Sequence, residues 1–178
     1  MADEAQELTR GANYIITPED EAFIGTGSPR ERVRSNIAAL RLARELTDAG
    51  RAATLDEKRV LARFVGWGGL PQVFVPEYER LYDYETDKDG YWSDLYGQIF
   101  REKAEKATLG MEGYELHKQI REALGQEAYE AARGSTLNAH YTAVPVIRAM
   151  HRALNRLGVK GGRFLEPSAG TGHFLGAG

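Results

Sequence analysis

The residues with the clearest capacity for chemistry lie near residue 170, where an apolar segment runs into a glycine-rich turn. Residues 163–166 read as a short strand that delivers Glu166 to its carboxyl end, and Gly170 and Gly172 follow closely. The carboxyl ends of strands are where doubly wound folds hold their ligands, and glycine lets a backbone turn tightly against one. The pattern therefore predicts a cofactor site, although the glycines of an ordinary turn would give the same pattern.

A second candidate site is a set of arginines in a predicted helix, Arg30, Arg34, Arg41 and Arg44. Their spacing lets them share one helix face, and arginine stripes can follow a phosphate backbone. Residues 28–64 carry nine bases against five acids, which favours contact with nucleic acid or a protein partner. The alternative is a solvated face with pairs such as Arg41–Glu45.

Trp67 is a further candidate because glycines at positions 66, 68 and 69 surround it. Such glycines predict sharp turns that hold one large aromatic ring. The ring either fills the core or is offered to a base or a protein partner.

The remaining reactive side chains match no other catalytic or metal-binding pattern. No two of the four histidines stand at the i, i+4 spacing of a metal-ligand pair, and cysteine is absent. Ser168 is not a hydrolase nucleophile, because Glu166 occupies the position where that motif has glycine. We therefore expect no metal site and no disulfide.

Composition limits the class of protein. The net charge of -3 over 178 residues argues against a protein dominated by phosphate binding. No apolar run has the length of a membrane span, and the acidic N-terminus lacks the apolar core of a secretory signal. These features predict a cytoplasmic protein without membrane contact.

The elements that must position these residues are predicted to be mainly helices. Ser28 and Thr54 open capping boxes, and Gly50 is placed to end the first of the two helices. Further helices are predicted over residues 76–84, 93–108, 112–124, 126–133 and 143–157, the last capped by Thr142 and presenting Ile147, Met150, Leu154 and Leu157 on one face. Residues 163–166 are the one predicted strand.

Two motifs resemble those of DNA adenine amino-methyltransferases. Residues 165–174 resemble their motif for S-adenosylmethionine (SAM), in which an acid, a proline and a Gly-x-Gly turn precede an aromatic residue. Residues 139–143 resemble the motif that precedes this loop in the gamma arrangement of these enzymes. The resemblance implies that the turn holds the methionine end of SAM. The residues it assigns to the cofactor are Tyr141, Thr142, Glu166, Pro167, Gly170, Gly172 and Phe174.

A wider resemblance extends toward the N-terminus. Residues 32–46, 65–71 and 135–142 resemble the beginning of large methyltransferase–helicase proteins carried by phages and plasmids, which are similar to anti-restriction proteins packaged with phage DNA. It covers roughly residues 12–178 and is weakest over 76–115. Residues 1–12 are polar, acidic and without periodicity, which predicts a disordered tail. The helical patterns predict a mainly α fold with a helical domain over 13–138. For residues 139–178 the resemblance implies the incomplete start of a Rossmann-like methyltransferase fold, with one strand and its glycine loop.

The chain departs from this family in the motifs for catalysis. It contains neither an Asn-Pro-Pro-aromatic nor an Asp-Pro-Pro-aromatic sequence, which would hold the flipped adenine, and no helicase Gly-Lys-Thr or Gly-Lys-Ser loop. We therefore expect the isolated chain, truncated after the SAM motif, to be no enzyme and to bind no cofactor.

The expected role is binding: a counter-defence inhibitor of a host restriction or CRISPR complex from a mobile element, with that complex or DNA as partner. The alternative is an N-terminal fragment of an active SAM-dependent methyltransferase–helicase that contributes DNA or SAM binding. Without a parallel sheet, residues 160–178 are expected to pack as a loop or to pair with an edge elsewhere.

Overall fold

The computed structural model describes residues 14–87, 89–139, 141–163, 165–167 and 170–177. Helices occupy most of these residues and a 3-10 turn spans Pro71–Val73. The helices are α1 (Pro18–Glu21), α2 (Pro29–Asp48), α3 (Leu55–Ala62), α4 (Pro76–Glu85), α5 (Asp94–Lys106), α6 (Gly110–Ser135), α7 (Val144–Arg156) and α8 (His173–Gly176). The predicted tail over residues 1–12 lies outside the described part.

The predicted strand, and with it the Rossmann-like fragment, is wrong. The described residues are 64% helix and include no strand, so the mainly α part of the expectation is correct. Arg163, Leu165 and Glu166 have no regular secondary structure, and Leu165 is 91% exposed. Extended segments are stable when neighbouring strands satisfy their backbone groups, and here no described strand lies beside this segment.

Local capping signals place several helices where the sequence predicts them. Ser28 accepts a hydrogen bond from the Glu31 amide while the Glu31 carboxylate accepts one from the Ser28 amide, and Thr54 and Glu57 do the same for α3. Each reciprocal pair satisfies amide groups that a helix start leaves without partners. The prediction that Thr142 caps α7 is wrong, because the N-cap is Ala143 and no side chain caps it.

The two helices predicted over 112–124 and 126–133 form the single element α6 with a break at Gly125. This residue has φ 71° and ψ 177°. Only glycine adopts such a backbone conformation readily, and the break lies between the two predicted helices.

Two hydrophobic clusters unite α2, α4, α5, α6 and the 3-10 turn. One joins α2, the 3-10 turn and α6 through Val33, Ile37, Leu70, Val73, Leu116, Ile120 and Tyr129 among others. The other joins α4, α5 and α6 through Tyr78, Leu81, Phe100, Ala104 and Tyr114. Of the three tyrosines in residues 76–84, Tyr78 is buried in this cluster, and Tyr82 and Tyr84 pack against it partly buried.

Two buried polar residues fasten this core to its loops. The Asn36 Nδ2 donates to the Gly66 carbonyl (2.6 Å), and its Oδ1 accepts from the Val65 amide (2.9 Å). His117 Nδ1 lies 2.8 Å from the Val73 carbonyl and therefore carries the proton of that hydrogen bond. Both side chains are fully buried.

A third cluster brings the two ends of the described chain together. Ile16 and Ile24 pack with Val144, Ile147 and Ala177. The α7 face predicted from the sequence is thereby divided: Ile147 is buried, whereas Met150, Leu154 and Leu157 are exposed.

Candidate functional site

The glycine turn near residue 172 packs against the first described residues of the chain. The Ile16 amide donates to the Gly176 carbonyl (2.7 Å). On the other side, His151 Nε2 lies 3.2 Å from the Phe174 carbonyl, and Phe174 packs against the third cluster. Residues 170–177 thus pair with a segment far away in sequence, although in the described residues they join no sheet.

Two glycines of the turn have a backbone conformation that favours glycine. Gly170 and Gly172 have φ values of 53° and 79°, in the left-handed region. A residue with a side chain adopts this region at a cost of about 1–2 kcal/mol. Gly172 is also the N-cap of α8.

A third glycine, Gly176, is required by close packing. A Cβ atom placed on it would lie 2.8 Å from the Tyr14 carbonyl oxygen and 3.2 Å from Ile16 Cγ1. This contact holds α8 directly against the segment over residues 14–16.

Residues 14–21 form a strap that is fixed to both α3 and α7. Arg148 of α7 donates to the Ile16 carbonyl (2.7 Å) and pairs with Glu21 (2.7 Å). The Tyr14 hydroxyl donates to Asp20, which also lies 3.9 Å from Arg59 of α3. The strap therefore has ionic and hydrogen-bonded contacts with both helices.

The electrostatics of the strap keep Asp20 charged and Tyr14 neutral. Burial by itself raises the pKa of Asp20, but hydrogen bonds from Tyr14 and Thr17 outweigh it, so the pKa is lowered. Burial raises the pKa of Tyr14, and its hydrogen bond to Asp20 adds to the effect. Tyr14 therefore remains a hydrogen-bond donor at neutral pH.

A cavity of about 330 Å³ opens between the glycine turn, α3 and the strap. We call it the turn cavity. Its lining consists of Tyr14, Ile16, Lys58, Leu61, Ala62, Thr171, Gly172, His173, Leu175 and Gly176. Aliphatic walls with a few polar groups are typical of small-molecule sites, which range over about 300–1,000 Å³.

The polar groups of the turn cavity suit binding better than proton transfer. His173 is buried and its Nε2 lies 3.0 Å from the Ala62 carbonyl. Burial lowers the pKa of His173, so the ring is neutral and its Nε2–H is engaged by that carbonyl. The Thr171 Oγ1 atom is buried and has no hydrogen-bond partner within the described part of the chain, which leaves it free to bond a ligand.

The structure places some, but not all, of the predicted cofactor residues at this cavity. Gly172 lines it and Phe174 packs beside it, whereas Gly170 and Pro167 are exposed and Glu166 is partly buried outside the lining. Tyr141 and Thr142 are exposed and do not line it either.

Tyr141 instead covers the backbone of Gly66. A Cβ atom on Gly66 would lie 2.1 Å from Tyr141 Cε2, so the ring occupies the space that a side chain there would need.

The strap and α3 supply the cavity residues that sequence reasoning missed, namely Tyr14, Ile16, Lys58 and Ala62. No local pattern signals that the strap meets Gly176.

Three of the four candidate arginines contact α6 or the segment before it. Arg30 pairs with Glu112 (2.8 Å) and donates to the Leu109 carbonyl, Arg34 also pairs with Glu112, and Arg44 lies 3.4 Å from the Ala123 carbonyl. The fourth, Arg41, lines an open groove between α2 and α6. These contacts correspond to the solvated, paired alternative, and a role in binding a partner stays a prediction.

Trp67 lies in the core and not on the surface. Its ring is 5% exposed and makes edge-to-face contacts with Phe64 (6.2 Å between centroids) and Phe74 (5.4 Å). The ring is therefore inaccessible to a base or a protein partner in this structure.

No protein family, no curated protein and no solved structure matches this chain. Across the described ranges, no helix combines the length and apolar character needed to cross a membrane. Within the same residues, no group of three or more His, Asp and Glu side chains is arranged to hold a metal ion.

Proposed function

We propose that this chain binds SAM in the turn cavity and serves as the cofactor-binding part of an adenine-specific DNA methyltransferase of the phage and plasmid type. The cavity itself is the observation that carries the proposal. It lies against Gly172 and His173, within the segment that resembles the SAM motif of these enzymes.

This proposal departs from the expectation that the isolated chain binds no cofactor. A single strand without its sheet would leave a ligand half-enclosed. The strap and α3 provide cavity walls beside the glycine turn, with Ile16 and Leu61 as aliphatic surfaces. Contact with these side chains removes apolar ligand surface from water, which favours binding.

Two polar groups at the cavity suit SAM. Lys58 brings a positive charge beside the cavity, which favours the carboxylate of the methionine end. The Thr171 hydroxyl, which has no hydrogen-bond partner among the described residues, can bond a polar group of the ligand. Methyl transfer is not part of the proposal, because the 178 residues contain no Asn-Pro-Pro-aromatic motif.

Titration calorimetry of the purified chain with SAM and S-adenosylhomocysteine tests the proposal. We expect binding of both, with ATP at the same concentration giving none. Gly172→Ala should weaken SAM binding at least tenfold, about 1.4 kcal/mol, because the substitution strains the turn at φ 79°. Thr171→Val should weaken binding without altering the backbone.

The matched control is Gly69→Ala. Gly69 has a φ of 73° and, like Gly172, has open space where a Cβ would be. Both substitutions therefore introduce similar backbone strain, but only Gly172 lines the cavity. Absence of SAM binding by the wild-type chain at about 100 μM, or equal losses in the two variants, would refute the proposal.

The second candidate function is the counter-defence inhibitor, which the absence of a methyl-transfer motif favours. It requires no cofactor, so the two candidates separate in one assay. The assay measures inhibition of a purified restriction endonuclease or CRISPR nuclease by this chain. Equal inhibition with and without SAM, and equal inhibition by the wild-type chain and Gly172→Ala, would support this second function.

A further inference from the structure

Helix α7 has two apolar faces, and only one is covered within the described part of the chain. Val144 and Ile147 are buried against the strap and α8. Val146, Met150, Ala153 and Leu157 are all exposed, Met150 by 49% and Leu157 by 80%. Their successive spacings of 4, 3 and 4 residues place them in one line along the helix.

The line has the pattern of a helix-packing seam. Apolar residues that alternate at intervals of four and three form the contact surface of paired helices, and the same spacing marks helices that dock in apolar grooves. With 13 residues, α7 presents a seam of about 20 Å.

The end of α7 is rigid enough to present this seam. The Val159 amide donates to the Leu154 carbonyl (3.1 Å) and the Gly158 amide to the Asn155 carbonyl (3.1 Å). Gly158 has a φ of 84°. These features are those of a Schellman motif, which fixes the helix end and brings the residue after the glycine toward the last turn.

The charged residues in the segment that contains the seam are all basic. Residues 131–165 contain no Asp or Glu, whereas Arg152, Arg156, Lys160 and Arg163 are exposed bases within or after α7. None of these four has an ion pair within the described residues, and Arg152 and Arg156 lie one turn apart at one side of the seam.

We propose that this face of α7 binds an amphipathic helix of another protein that carries acidic side chains beside its own apolar stripe. The apolar seam requires an apolar surface to cover it, and the bases select for acids at its edge. A second copy of α7 would bring no acid to these bases, and nucleic acid would leave the apolar seam uncovered. The inference concerns a surface separate from the turn cavity and does not rest on SAM binding.

Binding of designed helical peptides to the full chain, measured by fluorescence anisotropy, tests this proposal. The acidic peptide carries leucine at its seam positions and glutamate beside them, and the basic peptide has lysine in place of each glutamate. We expect the wild-type chain to bind the acidic peptide at least tenfold more tightly, with an affinity that falls as salt rises.

Two variants separate the apolar and the ionic contributions. Arg152→Glu with Arg156→Glu should reverse the preference, so that the basic peptide becomes the tighter ligand. Met150→Gln should weaken the binding of both peptides about tenfold, because it places a polar amide in the seam. The control, Arg80→Glu with Lys103→Glu, reverses two exposed bases on α4 and α5 and should leave the preference unchanged.

Three results would overturn the proposal. The first is no binding of the acidic peptide at about 100 μM or equal binding of both peptides. The second is a dimer in sedimentation equilibrium that Met150→Gln abolishes, which would assign the seam to a second copy. The third is salt-sensitive DNA binding that depends on Arg152 and Arg156 but not on Met150.

Discussion

The contact between Gly176 and the strap predicts that two glycine-to-alanine substitutions have opposite effects on stability. Gly176→Ala would place a methyl group 2.8 Å from the Tyr14 carbonyl oxygen, a backbone atom that cannot rotate away. Overpacking of this kind costs about 1–3 kcal/mol. Gly134→Ala introduces the same methyl group near the end of α6, where nothing lies within 4 Å.

The expected results follow from these surroundings. For a domain of this size, 1 kcal/mol changes Tm by about 2–4 °C. Gly176→Ala should therefore lower Tm by about 2–12 °C. Gly134→Ala should raise Tm by about 1–2 °C, because alanine is a better helix former by up to about 1 kcal/mol, and less near a helix end.

Thermal melts followed by circular dichroism measure both changes, and hydrogen exchange localises the first. The Ile16 amide, which donates to the Gly176 carbonyl, should lose protection at least tenfold in Gly176→Ala. Amides in the middle of α6 should keep theirs. Unchanged protection of the Ile16 amide, or an equal rise of Tm in both variants, would refute the contact between the strap and α8.

Two further predictions concern the buried polar residues of the core. Asn36→Ala leaves two backbone groups without partners and should lower the free energy of unfolding, measured by urea denaturation, by about 3 kcal/mol. The control, Asn155→Ala on the exposed surface of α7, should change it by less than about 0.5 kcal/mol. A loss below about 1 kcal/mol for Asn36→Ala would count against its bridging role. Burial lowers the pKa of His117 to about 4, below its unfolded value near 6.5. Between these two pH values the unfolded state therefore binds more protons than the folded state. The free energy of unfolding should fall by up to about 3 kcal/mol as pH drops from 6.5 to 4. His117→Gln, whose amide can still donate to the Val73 carbonyl, should remove this part of the pH dependence, and an unchanged slope in the variant would show that other groups cause it.

The sequence predicts those elements whose signals are local. The serine at position 28 and the threonine at position 54 stand three residues before a glutamate, and both helices start there. Helix α1 was missed although Thr17 and Asp20 form the same reciprocal pair, because the usual signature has Glu or Gln at the third position rather than Asp. Gly125 separates two helical patterns and breaks α6 where they meet.

The sequence fails where the structure depends on contacts between distant residues. A pattern of apolar residues followed by Glu-Pro and glycines predicts a strand, but a strand depends on neighbours that no local signal reveals. The pairing of Ile16 with Gly176 joins residues at opposite ends of the described chain. The sequence pattern also groups the buried Ile147 with the exposed Met150, Leu154 and Leu157 on one face of α7, because helical periodicity identifies apolar positions but not what covers them.

The glycine-rich motif near residue 172 has two explanations, cofactor binding and close packing. Individual glycines of the turn distinguish between them. Gly176 has a purely structural reason, since a side chain there would collide with the Tyr14 backbone whether or not a ligand binds. Gly172 has open space beside it, so packing does not exclude a side chain at this position. Its left-handed backbone forms part of the cavity wall. A SAM site therefore predicts that Gly172→Ala reduces affinity beyond its effect on stability, whereas Gly176→Ala reduces affinity only as far as it releases α8 from the strap. Equal ratios of affinity loss to stability loss in the two variants would mean that the glycine turn serves packing alone.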